Sequence, residues 1–220
     1  MSQLNPDDFI ITRKRKKYKF ALISNSPLCF EHDELDKDWH PDVVELGAGT
    51  GFFGLALARR HPELKILAID VKADRLQSGA KKASQLSIPN VRFLRTRADL
   101  LPEIFEPQSL AAIWLTFPDP FLKDRAEKHR LTNARFLDVY RRLLGADGSL
   151  YLKHDNARFF NYSLEQLVEN SWQLNELSFD LHDSNLSDDY KILTTYELRW
   201  LGEGLKTKFV KASIVDNTAV

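Results

Sequence analysis

"DVVELGAGTGFFGLALARRH", Asp42–His61, decides the fold. Val43, Val44 and Leu46 make a short apolar run that ends at Gly47, the pattern of a buried strand. Gly47, Gly49 and Gly51 follow, and then apolar residues at helical spacing up to the stop at Pro62. Strand, glycine-rich turn and helix form the opening unit of a doubly wound α/β sheet. "KILAID", Lys65–Asp70, supplies the next parallel strand.

Outward from this unit the alternation continues. "KADRLQSGAKKASQLS", Lys72–Ser87, is an amphipathic helix with Leu76, Ala80, Ala83 and Leu86 on one face. "NVRFLRT" (Asn90–Thr96) and "LAAIWLTF" (Leu110–Phe117) are strands, and "TNARFLDVYRRLLG" (Thr132–Gly145) is a helix with Thr132 as its expected N-cap. "GSLYLKHD" (Gly148–Asp155) is a strand and "ARFFNYSLEQLVEN" (Ala157–Asn170) a helix. From Ser171 two further strands flank a polar loop, "HDSNLSDDYKILT". Such alternation predicts a mostly parallel sheet covered by helices on both faces. Ligands then sit beyond the carboxyl ends of the strands, after Leu46, Ile69, Thr96, Phe117 and Lys153.

The 220 residues are 43% hydrophobic and 28% charged with zero formal net charge, which suits one α/β domain with a sizeable core. Positive charge is concentrated locally in "RKRKKYK", Arg13–Lys19, while acids gather in Glu31–Asp38. Residues 1–40 read as a basic arm and lead-in, and residues 41–220 as the domain proper. Cys29 is the single cysteine, and no Cys/His spacing suits a metal, so no metal is expected and a reducing cytoplasm is the natural compartment. No apolar stretch is long enough to span a membrane, and no signal segment is visible.

Glycines let the backbone approach a ligand closely, and the helix N-terminus behind them offers free N–H groups. Asp70, about 20 residues further on, can accept the hydroxyls of a ribose. Two cofactor classes use this layout. Gly49, Gly51 and Gly54 satisfy the dinucleotide pattern G-x-G-x-x-G. Glu45 ahead of Gly47 makes E-x-G-x-G-x-G instead, which resembles the first motif of class I S-adenosylmethionine (SAM) methyltransferases. SAM carries an ammonium and a sulfonium, so an acid suits it better than it suits a pyrophosphate. At the third strand end, "RTRADL", Ala98 and Asp99 are the candidates to meet the adenine.

At the fourth strand end stands "FPDPFLK", Phe117–Lys123. Further on come "LKHDN", Leu152–Asn156, and "TTYE", Thr194–Glu197. Pro-Asp-Pro alone suits a surface turn. In this order, over about Val43 to Val210, these motifs resemble the bacterial tRNA (guanine-N7)-methyltransferases. The family patterns are F-P-D-P-W-x-K-x-R-H-x-K-R-R-L, K-T-D-N and T-x-x-E. The resemblance implies a Rossmann-like, doubly wound, mostly parallel seven-stranded sheet of the class I SAM methyltransferase type. It further implies a SAM-dependent methyltransferase domain over residues 41–220, acting on N7 of a guanosine in tRNA, guanosine 46 of the variable loop. Family members are monomers or homodimers. Asp119 matches the active-site position, and Lys123, Asp155, Thr194, Thr195, Tyr196 and Glu197 match substrate-binding positions. Glu45, Gly47, Gly49, Gly51, Asp70, Ala98 and Asp99 are the expected cofactor contacts.

The chain departs from the family at single places. Phe121 replaces Trp, Ala126 replaces His, His129 replaces Arg, His154 replaces Thr, and Arg97 stands where an acid is usual. A neutral protein needs only local positive charge to hold phosphates. Arg13–Lys19 is one such source, and Lys123, Arg125, Lys128 and Arg130 beside Asp119 are another, with Arg158 a third. Lys153, at a strand end, reads as a ladder residue with a snorkelling amine. Alternatives in other classes are an exocyclic-amine nucleic-acid methyltransferase, a catalytically weakened tRNA-binding relative, and a nicotinamide dehydrogenase.

Overall fold

The computed structural model describes residues 25–215; the basic block Arg13–Lys19 lies outside them. Eight strands form one sheet among the described residues: β1 (Cys29–Glu31), β2 (Val43–Leu46), β3 (Ile66–Asp70), β4 (Val91–Arg95), β5 (Leu110–Thr116), β6 (Leu144–His154), β7 (Trp172–Ser178) and β8 (Lys208–Ile214). Their order is β1-β4-β3-β2-β5-β6-β8-β7. Pairs from β1 through β6 are parallel, and β8 runs antiparallel to both β6 and β7. The strand beyond the expected seven is β1, three residues from the lead-in that pair Cys29 with Phe93 on β4.

Both faces of the parallel strands are buried, which is why β2 and β3 read as continuous apolar runs. Side chains nonetheless alternate between faces. Val44, Leu46, Leu67, Ile69, Ile113 and Leu115 pack toward α3 (Ala134–Leu143) and α4 (Ala157–Glu169). Val43, Ile66, Ala68 and Trp114 pack toward α1 (Phe52–Arg60) and α2 (Ala73–Gln85). Glu45 alternates with Val44 and so shares the α1 face, where an apolar residue would be the default.

Strand order reverses between β2 and β5, whose ends meet at the pair Leu46–Leu115. Chain segments leave in opposite directions there and open a crevice, as at the switch point of other doubly wound sheets. Gly51, at φ 67°, lets α1 start tight against the sheet: a Cβ on it would stand 2.6 Å from the Phe93 ring.

Two local expectations change. The N-cap of α3 is Asn133, whose side chain accepts from the Arg135 N–H, and not Thr132. Thr132 is fully buried, with its hydroxyl 2.8 Å from that of Ser163. The polar loop after β7 also contains a short helix, α5 (Glu197–Trp200).

Candidate active site

Two adjoining clefts open at the switch point. The larger, about 510 Å³, is bounded by Leu46, Asp70, Ala98, Asp99, Asp119 and Phe136. The smaller, about 330 Å³, is bounded by Glu45, Gly49, Thr116, Thr194, Thr195 and Tyr196. Gly47, Arg75 and Phe117 line both. The ends of β2 and β5 therefore bring the glycine turn and the Phe117–Phe121 loop to one place.

Asp70 braces the glycine turn. Its Oδ2 accepts from the Gly49 N–H at 2.8 Å, and its Oδ1 accepts from the Lys72 N–H at 2.7 Å. A carboxylate has about four lone-pair sites, so two remain for ligand hydroxyls. An acid at this strand end suits a ribose in either cofactor class; by taking up the Gly49 N–H, Asp70 leaves the turn one donor fewer for a pyrophosphate.

Glu45 is 1% exposed. Thr116 Oγ1 donates to one carboxylate oxygen at 2.6 Å, and the Gly54 N–H donates to the other at 2.9 Å. It thereby takes up one of the unpaired N–H groups in the first turn of α1. Burial pushes its pKa up to about 7. Glu45 holds the turn from beneath and lines the smaller cleft, where a cationic ligand would favour its charged form.

At the third strand end Asp99 is not a free acid. Arg97 Nε donates to its Oδ1 at 2.9 Å and Nη2 to its Oδ2, and this pairing holds the carboxyl below its ordinary range. Arg97, standing where the family usually has an acid, thus neutralises its neighbour two residues on. Ala98 opens the 3-10 turn Ala98–Glu103 and gives the larger cleft an apolar wall with Leu46, Ile69 and Phe136. An apolar slot with a ribose-facing carboxylate and a glycine turn beside a buried acid fits the adenosine and amino-acid ends of SAM.

Asp119 is exposed on the larger cleft and makes no hydrogen bond or ion pair among the described residues. Lys123 is exposed at the start of the 3-10 turn Asp124–His129. Asp155 receives the Tyr196 hydroxyl at 3.3 Å, and its Oδ1 lies 3.2 Å from His154 Nδ1. Tyr196 packs its ring 5.1 Å from that of Phe117, and Thr195 meets Thr50 of the glycine turn through their hydroxyls at 2.9 Å. Thr194, Thr195 and Tyr196 therefore form a wall of the smaller cleft.

Glu197 does not join them. Its N–H donates to Thr194 Oγ1 at 3.1 Å, while its Oε2 accepts from the Thr194 N–H at 2.8 Å, a reciprocal capping box. The same oxygen takes Lys153 Nζ at 2.9 Å, and Oε1 takes His182 and Thr207. Lys153 does not snorkel: it is 0% exposed, and its amine also donates to the Ile192 carbonyl at 2.8 Å. The T-x-x-E spacing was itself the signal for the capping role.

Arg130 also leaves its expected place among the phosphate contacts. It is 5% exposed and donates to the Pro120 and Phe121 carbonyls at 3.2 and 3.1 Å. Arg158 is paired with Asp124 on the surface at 3.1 Å. Lys123, Arg125 and Lys128 keep the exposed cationic rim beside Asp119. Sequence reasoning passed over Thr116, Arg75 and His182, which carry no local motif.

Residues 39–210 match the family described as "Putative methyltransferase". A tRNA (guanine-N(7)-)-methyltransferase of Brevibacillus brevis is 38% identical over 199 residues, covering 90% of this chain and 92% of that protein. One of Clostridioides difficile is 31% identical, covering 88% of this chain and 94% of that protein. Among solved structures, the 16S rRNA methyltransferase KamB superposes with a TM-score of 0.60 at 15% identity, over 81% of this chain and 90% of that one. A SAM-dependent methyltransferase from Aquifex aeolicus gives 0.53 at 17%, over 80% and 82%. Those two structural likenesses carry the class I methyltransferase fold alone. With the family match and relatives above 30% identity across most of both chains, the chain belongs to the tRNA (guanine-N(7)-)-methyltransferase family.

Proposed function

We propose that this protein transfers a methyl group from SAM to N7 of a guanosine in tRNA, and that guanosine 46 of the variable loop is the acceptor. The observation that carries the reading is the exposed, unengaged carboxylate of Asp119 at the β5 end, on the cleft that Gly47 and Asp70 also line. When bound, SAM supplies an electrophilic methyl group on a sulfonium. Asp70 offers its two free lone-pair sites to the ribose hydroxyls, and Ala98 flanks the adenine. Gly47, Gly49 and Gly51 bring the backbone close, and Glu45 lends negative charge beneath the amino-acid end.

Guanine N7 is already an acceptor with a lone pair and no proton at neutral pH. The acceptor needs no strong base; it needs to be aimed, and positioning can supply most of the rate. The product base is cationic, so a fixed carboxylate beside the ring stabilises the charge as it develops. Asp119 takes that role. Thr194, Thr195, Tyr196 and Asp155 surround the base from the β6 side, and Lys123, Arg125 and Lys128 meet the flanking phosphates. Glu197 contributes by holding Thr194 in place. The protein works in the cytoplasm, as monomer or homodimer.

Mass spectrometry of nucleosides from tRNA incubated with protein and SAM tests this directly: 7-methylguanosine is expected. Borohydride and aniline should then cleave the product at the modified site. Methylated exocyclic amines with no cleavage would overturn the reading in favour of an amine methyltransferase.

A further inference from the structure

We propose that Arg130 and His154 are positioning residues that aim Asp119 by clamping the backbone carbonyls on its two sides. The proposal rests on the catalytic reading of Asp119 given above. Asp119 has no side-chain partner among the described residues, so its direction is set by its backbone. The prolines stiffen that backbone but leave it few donors to anchor it, the Phe117 N–H to the Lys153 carbonyl at 3.0 Å being one. Pro118 and Pro120 have no N–H to donate, so the segment can be tied down there only through its carbonyls. Phe117 and Phe121 both adopt left-handed backbone, at φ 52° and 41°. Bulky side chains keep such a conformation only where the surroundings impose it.

The surroundings impose it from two directions. His154, 3% exposed at the end of β6, lies with Nε2 3.0 Å from the Pro118 carbonyl. The Asn156 N–H, which can only donate, points at Nδ1 from 2.9 Å. Asp155 Oδ1 lies 3.2 Å from the same Nδ1. The Pro118 carbonyl can only accept, so the proton of that contact is assigned to Nε2, which donates to it. On the other side the Arg130 guanidinium donates through Nε to Pro120 and through Nε and Nη2 to Phe121, at 3.2, 3.3 and 3.1 Å. Its Cζ lies over the Tyr162 ring, 4.2 Å from the ring centroid. The Tyr162 hydroxyl is itself held by Asn133 and Glu127, each at 3.1 Å. A planar, pre-oriented fork is what arginine offers and lysine does not. Both proline carbonyls that bracket Asp119 are thus taken, one by each clamp. His154 stands where the K-T-D-N pattern of the resemblance has threonine.

The test uses His154→Leu and Arg130→Leu, which remove the donors, and His154→Gln and Arg130→Lys, which keep one. Single-turnover transfer to tRNA, SAM affinity by calorimetry, tRNA affinity across a salt series, and amide hydrogen exchange over Phe117–Lys123 are measured for each. The leucine variants should lose at least about tenfold in transfer rate through misplacement alone, with SAM affinity kept. Exchange in the loop should quicken, and His154→Gln should restore most of the rate because its amide still reaches as a donor. If a leucine variant fails to fold, Arg130→Lys, which keeps the charge but not the fork, should still slow transfer and quicken exchange. Wild-type rate and exchange in the soluble variants would overturn the clamp. So would a fall of about 0.7–0.9 in the salt slope for Arg130→Leu, the mark of a lost phosphate contact. Should the wild-type protein fail to methylate tRNA, the proposed function fails, while hydrogen exchange still decides the clamp.

Discussion

Lys153 Nζ stands 2.9 Å from Glu197 Oε2, and the two side chains are 0% and 1% exposed. Burial pulls the lysine pKa down, and Glu197 opposes that pull. The pair joins the end of β6 to the capping box that carries Thr194, Thr195 and Tyr196, so a wall of the smaller cleft hangs on it. Removing one partner leaves an uncompensated charge in the interior. Lys153→Met should therefore cost about 3–5 kcal/mol of stability, read from urea unfolding. Lys153→Met with Glu197→Leu should recover part of that loss, because no buried charge remains. A double variant no more stable than the single would mean that the capping box, not the ion pair, holds the segment.

Asp119→Ala removes charge from the cleft without touching the glycine turn. Transfer to tRNA should fall by about 10²–10³, the size seen when a group that stabilises developing charge is lost. SAM affinity, measured by calorimetry, should stay near wild type because Asp70 and the turn are intact. Wild-type turnover in this variant would remove Asp119 from the mechanism.

Glu45 makes stability depend on pH in an unusual direction for a carboxylate. Its pKa is about 7 in the folded protein against an ordinary 4.5, so folding takes up a proton. Its contribution is fully present below the unfolded value and is lost as pH rises through about 7. The size is on the order of 3 kcal/mol. The SAM-free protein should thus lose thermal stability between about pH 5 and pH 8, and Glu45→Gln should lose less over that range. His61, raised by Asp189, acts with the same sign, so the comparison with the variant carries the test. Equal slopes in the two proteins would show that Glu45 keeps an ordinary pKa.

The parts of the site legible in the sequence are those set by local chemistry. The turn at Gly47–Gly51, Asp70 at the next strand end, and the Pro-Asp-Pro stiffening of Asp119 each follow from residue type and spacing. Arg130 and Lys153 were misread, and the capping role of Glu197 was passed over, for a common reason. A charged residue declares its charge in the sequence but not its burial, and burial decides whether it meets a ligand or a carbonyl. All three are held by partners many residues away or by backbone that the fold folds over them. β1 escaped notice because three residues carry too little pattern to mark a strand. Asn133 took the cap from Thr132 because burial against Ser163 drew the threonine into the core.

Gly79→Ala sets helix propensity against packing, and the distances decide the sign. In an exposed helix interior alanine would stabilise by about 1 kcal/mol over glycine. Gly79 instead faces the sheet from α2: a Cβ there would lie 2.1 Å from the Thr50 carbonyl oxygen and 2.5 Å from the Phe93 ring. One neighbour is backbone and the other a fully buried ring, so neither gives way as a flexible side-chain end would. Overpacking of this kind costs about 1–3 kcal/mol, which exceeds the propensity gain. Relief comes most readily by displacing Thr50, which sits between Gly49 and Gly51 and touches Thr195. The variant should therefore unfold at lower denaturant and bind SAM more weakly in calorimetry, both effects arising from one displaced turn. A more stable variant with unchanged SAM affinity would show that α2 can move away from the sheet without disturbing the site.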